Sequence, residues 1–155
     1  MKKAVSISLI FVSVVINAQE SDTFKNYFTE FRTAVTSADV ATLKTLIYPF
    51  KDEVEDMQAE LIQKIATGHE LQKGDGAFSL KALDSLTVHH LEKIVPIQEN
   101  LYVQLSKDPI FGKTIRTFLP EEIYVFEHKE AHVILFKSKE GVQLFFWENL
   151  NSLLR

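Results

Sequence analysis

Apolar residues recur every three or four positions through the first half of the chain and every second position near its end. In SDTFKNYFTEFRTAV, Phe24, Tyr27, Phe28, Phe31, Ala34 and Val35 fall on one helical face. Ser21 and Asp22 offer side-chain oxygens to the free amides of the first turn. In SADVATLKTLIYPF the face is Val40, Leu43, Leu46 and Ile47, capped by Ser37 or Asp39. It stops at Pro49, whose ring disfavours helical geometry at Tyr48. KDEVEDMQAELIQKIATG predicts a third helix over 52–67, with Asp52 to Asp56 near its positive end and Gly68 past its last turn. The polar, glycine-bearing GHELQKGDGAF reads as a loop. LKALDSLTVHHLEKIV predicts a fourth helix, capped by Ser79, broken near Asp84-Ser85 and closed by Pro96.

The texture changes at Ile97. Leu101, Val103 and Leu105 alternate with Tyr102 and Gln104, the period of a strand. KDPIFGK reads as a loop carrying two exposed apolar residues, Ile110 and Phe111. Three further strands follow, EIYVFEH, AHVILFKSK and GVQLFFWE, joined by short polar turns that make them an antiparallel meander. Helices first and strands afterwards predict an α+β fold, with the amino-terminal helices packed on a curved antiparallel sheet.

The start of the chain belongs to a different pattern. Lys2 and Lys3 precede an uncharged apolar run from Ala4 to Ile16, and Ala18 is a small residue at which a signal peptidase would cut. The run is shorter than the ~20 residues that span a bilayer. Residues 1–18 therefore read as a cleaved secretory signal and 19–155 as a single domain in the periplasm or outside the cell. Loss of 18 residues from 155 leaves 137, with 15 Lys and Arg against 21 Asp and Glu, a formal charge of −6. That length holds a hydrophobic core without staples. With no Cys in the chain, thiol catalysis, Cys-ligated metals and a lipid-anchored amino terminus are excluded. The acidic balance without a basic stripe argues against nucleic acid, and nothing after the signal is apolar enough for membrane insertion.

The stretch FKNYFTEFRTAVTSADVATLKTLIYPF resembles the opening of nuclear-transport-factor-2-like (cystatin-like α+β) domains in small exported bacterial proteins. The matching residues are Phe28, Phe31, Ala34, Val35, Asp39, Leu43, Leu46, Pro49 and Phe50. The closing meander is similar to the curved sheet of that fold. Family members place a strand soon after the second helix, where this chain reads as helix over 52–67. The resemblance implies a scaffold that hosts isomerases, dehydratases and non-enzymatic binding domains, so it does not choose an activity. It also implies pairing through the sheet.

Motifs for chemistry are absent from the sequence. His69-Glu70 starts a zinc-protease pattern, but position 73 is Lys. The loop GDGAF has Leu71 and Lys73 where a calcium loop needs oxygen ligands, and Ala82 where it needs its closing acid. No phosphate-binding glycine loop or nucleophile elbow occurs. His128 and His132 flank a turn across which they would approach each other near Glu127 and Glu130, but solvated turn histidines are the ordinary reading. Asp84, His90, Tyr102 and Tyr48 are the residues an enzyme on this scaffold would draw on, and spacing singles out none of them. No catalytic residue, metal site or cofactor is assigned.

The last three strands pose a sharper question. Ile123, Val125, Val133, Leu135, Val142, Leu144 and Phe146 are read as one face, and Tyr124, Phe126, His132, Ile134, Phe136, Phe145 and Trp147 as the other. Both are apolar, whereas a sheet with one wet face alternates apolar with polar. Six large side chains left wet forfeit on the order of 10 kcal/mol, comparable with the stability of a whole domain. The second face must be covered. Helices or the tail NLNSLLR closing it internally, a second copy forming a homodimer, and a small apolar ligand all remain open. The expected function is an exported, non-enzymatic binding domain that uses Tyr124, Phe126, Phe136, Phe145 and Trp147. The alternative is a small hydrolase, isomerase or dehydratase acting in the cone of the fold.

Overall fold

Helix α1, residues 22–37, buries Phe24, Tyr27, Phe31, Ala34 and Val35 along one stripe, as its spacing requires. Ala38 turns the chain with a left-handed φ of 53°, and Asp39 N–H donates back to Ala34 O at 2.9 Å. Asp39 then caps α2, Val40–Leu46, by accepting from Thr42 N–H at 3.0 Å. Leu43 and Leu46 of α2 face the core. The buried Tyr27 hydroxyl donates to Leu46 O at 2.8 Å and ties the two helices together.

The computed structural model describes residues 20, 22–49, 59, 62, 63, 65, 80–148 and 153. Residues 1–18, read as a secretory signal, the loop expected over 68–78, the expected cap Ser79, Phe50 and most of the tail NLNSLLR lie outside the described residues. So does the helix expected over 52–67, apart from positions 59, 62, 63 and 65, which are helical and bury Ile62 and Ile65. The fourth expected helix is two pieces, α3 (Leu80–Asp84) and α4 (Val88–Leu91), parted near Ser85 as its pattern suggests.

Four antiparallel strands form a sheet in the order β1 (Val95–Pro96), β2 (Ile123–His128), β3 (Ala131–Ser138) and β4 (Gly141–Glu148). The fold is α+β, and its last three strands are the expected meander. Among the described residues no helix is long and apolar enough to cross a membrane.

Several elements differ in kind from their reading, and Val95–Pro96, read as the close of the fourth helix, is strand β1. The stretch read as a strand over 101–105 is helix α5, Glu99–Leu105, followed by α6, Gly112–Ile115, within the supposed loop. A five-residue alternation of Leu101, Val103 and Leu105 also satisfies a helix that half-buries positions 101, 102 and 105 and leaves Val103 exposed. This excursion between β1 and β2 answers the question of the second face. Tyr124, Phe126, Val133, Leu135 and Leu144 pack with α1 and α2 in one cluster. Ile123, Val125, Phe136 and Phe145 face the other way and pack with Ile97, Ile115, Tyr102 and Phe118 from the excursion. Helices cover both sides.

The assignment of strand residues to faces is also corrected. Tyr124 lies opposite Leu135 and Phe126 opposite Val133, so each pair shares a face, contrary to the grouping read from alternation within single strands. Between β3 and β4 the register shifts at Ile134/Leu135, with Ile134 opposite Phe146 and Leu135 opposite Leu144. Phe145 is the extra residue of a bulge, which puts both Phe145 and Phe146 in the second cluster and Trp147 against the first.

Candidate functional site: a cleft between helix α5 and the sheet

Cover on the second face is dense at one end. The Phe118 ring stacks on Phe136 with centroids 3.9 Å apart, and Tyr48 meets Phe136 edge-on at 5.0 Å. Phe111 meets Phe145 at 5.4 Å, and Tyr102 donates to Phe118 O at 3.2 Å, which fixes α5 to the turn before β2. Toward the β2–β3 hairpin the cover thins. There Leu101 and Leu105 of α5, Val125, Ile134 and Phe146 line an open cleft of about 210 Å³. Leu101, Leu105, Ile134 and Phe146 are each only partly buried.

The cleft has a charged rim. Glu127, His132 and Glu148 stand at its mouth, with His132 Nδ1 3.6 Å from Glu127 Oε1 in an exposed pair. Leu101, Val125 and Glu127 also line an adjoining, more polar recess of about 410 Å³, completed by Lys93, Val95, Gln98, Asn100 and Gln104. An apolar floor with a rim of both signs suits a contact with another surface. It holds no nucleophile and base in register.

The residues expected to bind do not form one surface. Tyr124 and Phe126 are interior on the first face, Phe136 and Phe145 are interior on the second, and half-buried Trp147 packs against the first cluster. The cross-strand register and the bulge, neither legible in one strand's alternation, divide them. The residues that do form an open apolar floor are Ile134, Phe146, Leu101 and Leu105. A signal for them existed: Ile134 is apolar beside polar His132, and Leu101 and Leu105 are spaced for one helical face.

The residues named for catalysis do not converge either. Asp84 pairs with Arg32 near the surface. His90 packs against His128, with ring centroids 5.0 Å apart. Tyr48 and Tyr102 belong to the second-face cluster. His128 and His132 do not meet across the turn, because His132 lies opposite Glu127 while His128 lies opposite Ala131 one step along. Among the described residues no three His, Cys, Asp or Glu are grouped to hold a metal ion.

Comparison with protein-family models, with curated proteins and with solved structures gives no match, so the cleft stands on its own geometry.

Proposed function

We propose that this chain is an exported, non-enzymatic α+β binding domain of the nuclear-transport-factor-2-like type, and that it associates with a second copy of itself through the cleft between α5 and the sheet. The observation that carries this reading is the half-covered apolar floor of Leu101, Leu105, Ile134 and Phe146 on an otherwise covered sheet face. At about 210 Å³ the cleft falls below the roughly 300–1,000 Å³ of ordinary small-molecule sites.

The rim favours a like partner. A two-fold contact sets the same patch against itself, so a rim of mixed sign can pair Lys93 of one copy with Glu127 or Glu148 of the other. Val95, exposed beside the recess, extends the apolar area toward what a stable dimer needs. The signal-like first 18 residues support export, and the order of helices then meander supports the scaffold type. Separation of Asp84 and His90 from Tyr48 and Tyr102 supports binding over catalysis.

Mass in solution across a wide concentration range tests this. The chain should dimerise, and Ile134→Glu, which puts a charge on the floor, should weaken association tenfold or more, equivalent to at least about 1.4 kcal/mol. A chain that stays monomeric throughout, or an Ile134→Glu variant that dimerises as well as the parent, overturns the reading.

A further inference from the structure

On the first face, where the sheet reaches the β2–β3 hairpin, α4 meets β2 through a cluster of two histidines and a lysine. The rings of His90 on α4 and His128 at the end of β2 are 5.0 Å apart between centroids and 80° from parallel. Phe126 lies beneath them, its ring 6.3 Å from that of His90. Lys93, just past α4, places Nζ 2.9 Å from His128 Nδ1. An ammonium only donates, so Nδ1 accepts and the neutral His128 ring carries its proton on Nε2. His90 Nδ1 likewise accepts from the backbone N–H of Thr87 at 3.2 Å, with the Thr87 hydroxyl at 2.8 Å. Thr87 is the N-cap of α4, and His90 takes the place that Glu or Gln fills in a capping box.

An imidazolium has two donors and no acceptor. In each ring the second proton must land on Nδ1, the atom already accepting. Ionising His128 therefore displaces Lys93, and ionising His90 takes from the Thr87 N–H its acceptor in the capping box of α4, the new Nδ1–H turning to the Thr87 hydroxyl. We propose that His90, His128 and Lys93 form an acid-released latch: neutral imidazoles hold α4 and the turn after it on the hairpin, and their ionisation lets that corner open over Phe126.

Among the described residues the charges acting on the two rings are cationic. The groups acting on the His90 ring are His128, Lys93, His89 and Lys129, and those acting on His128 are Lys93, Lys129 and His89. Burial first, and then these cationic neighbours, push both rings below the ordinary histidine range. A folded value below the unfolded one means the latch is intact above about pH 6.5, the free histidine value, and is lost as pH falls through the lower folded value.

The test is a titration of the imidazole resonances by NMR in the folded chain, with amide hydrogen exchange at Leu91, Glu92, Lys93 and Ile94. Both rings should titrate below free histidine from an Nε2–H tautomer. Exchange at those amides, corrected for the intrinsic rate, should rise on acidification by about tenfold for each unit of that depression. Lys93→Met frees Nδ1 and should move the His128 titration upward. Either ring titrating at or above free histidine, exchange unchanged between about pH 7.5 and pH 5, or an unmoved His128 in Lys93→Met overturns the latch.

Discussion

Phe118, in the turn before β2, stacks on Phe136 of β3 with ring centroids 3.9 Å apart and planes 19° from parallel. The contact joins the helical excursion to the sheet face that a strand-and-loop reading leaves bare. It predicts a coupled pair. Phe136, 1 % exposed, should cost about 4 kcal/mol when cut to Ala, and half-buried Phe118 about half of that. The double variant should fall short of the sum by about 1 kcal/mol, the coupling of a ring pair. Urea unfolding of the four chains measures all three values, and strict additivity would show that the rings do not meet.

Gly112 opens α6 against the carbonyl of Ser106, which also accepts from the Arg116 guanidinium. A Cβ on Gly112 would lie 2.5 Å from that oxygen and 2.9 Å from its carbon, both backbone atoms that cannot swing aside. Gly112→Ala should therefore destabilise by about 1–3 kcal/mol although alanine favours helices. A thermal midpoint unchanged or raised would mean that α6 does not pack on the end of α5.

Two phenols give a signature at high pH. Burial pushes the Tyr27 hydroxyl well up, and Tyr124 is raised by burial and then by its hydrogen bond to Glu20 at 2.7 Å. The folded values lie above the unfolded one of about 10, so the stability these groups supply is complete below that pH and is lost as pH rises past it. Absorbance at the phenolate band should show both ionising only as the chain unfolds. Tyr124→Phe and Tyr27→Phe should each remove part of that late step, and an undiminished step in both would rule the assignment out.

Glu20 anchors the start of the described chain. It accepts from the Tyr124 hydroxyl and pairs with Lys137 at 3.2 Å, while Lys137 Nζ lies 5.2 Å above the Tyr124 ring. The group is partly screened, so Glu20→Ala should cost about 1 kcal/mol. A chain beginning at residue 19 keeps this anchor and one beginning at residue 22 lacks it. Their unfolding midpoints should differ in that direction, and equal midpoints would discount the anchor.

Long amphipathic stretches and strong strand runs were legible because many residues vote for one period: α1, α2 and the meander lie where their spacing puts them. Helix α5 was not, because seven residues offer too few votes: Leu101 and Leu105 fit either period, and exposed Val103 completes a false alternation. The cleft was illegible for a different reason. Which strand residues share a face depends on cross-strand register, and the bulge at Phe145 changes it midway along β4. His90 and His128 stand 38 positions apart in a chain whose pattern does not reveal that α4 ends against the hairpin.

The account rests on helix α5 and the turn after it covering the second face of the sheet. The most direct measurement is the set of backbone chemical shifts over Glu99–Leu105, together with ring-to-ring NOEs between Phe118 and Phe136. Helical shifts with those NOEs present are predicted. Extended shifts over 101–105, with the two rings silent toward each other, would contradict it.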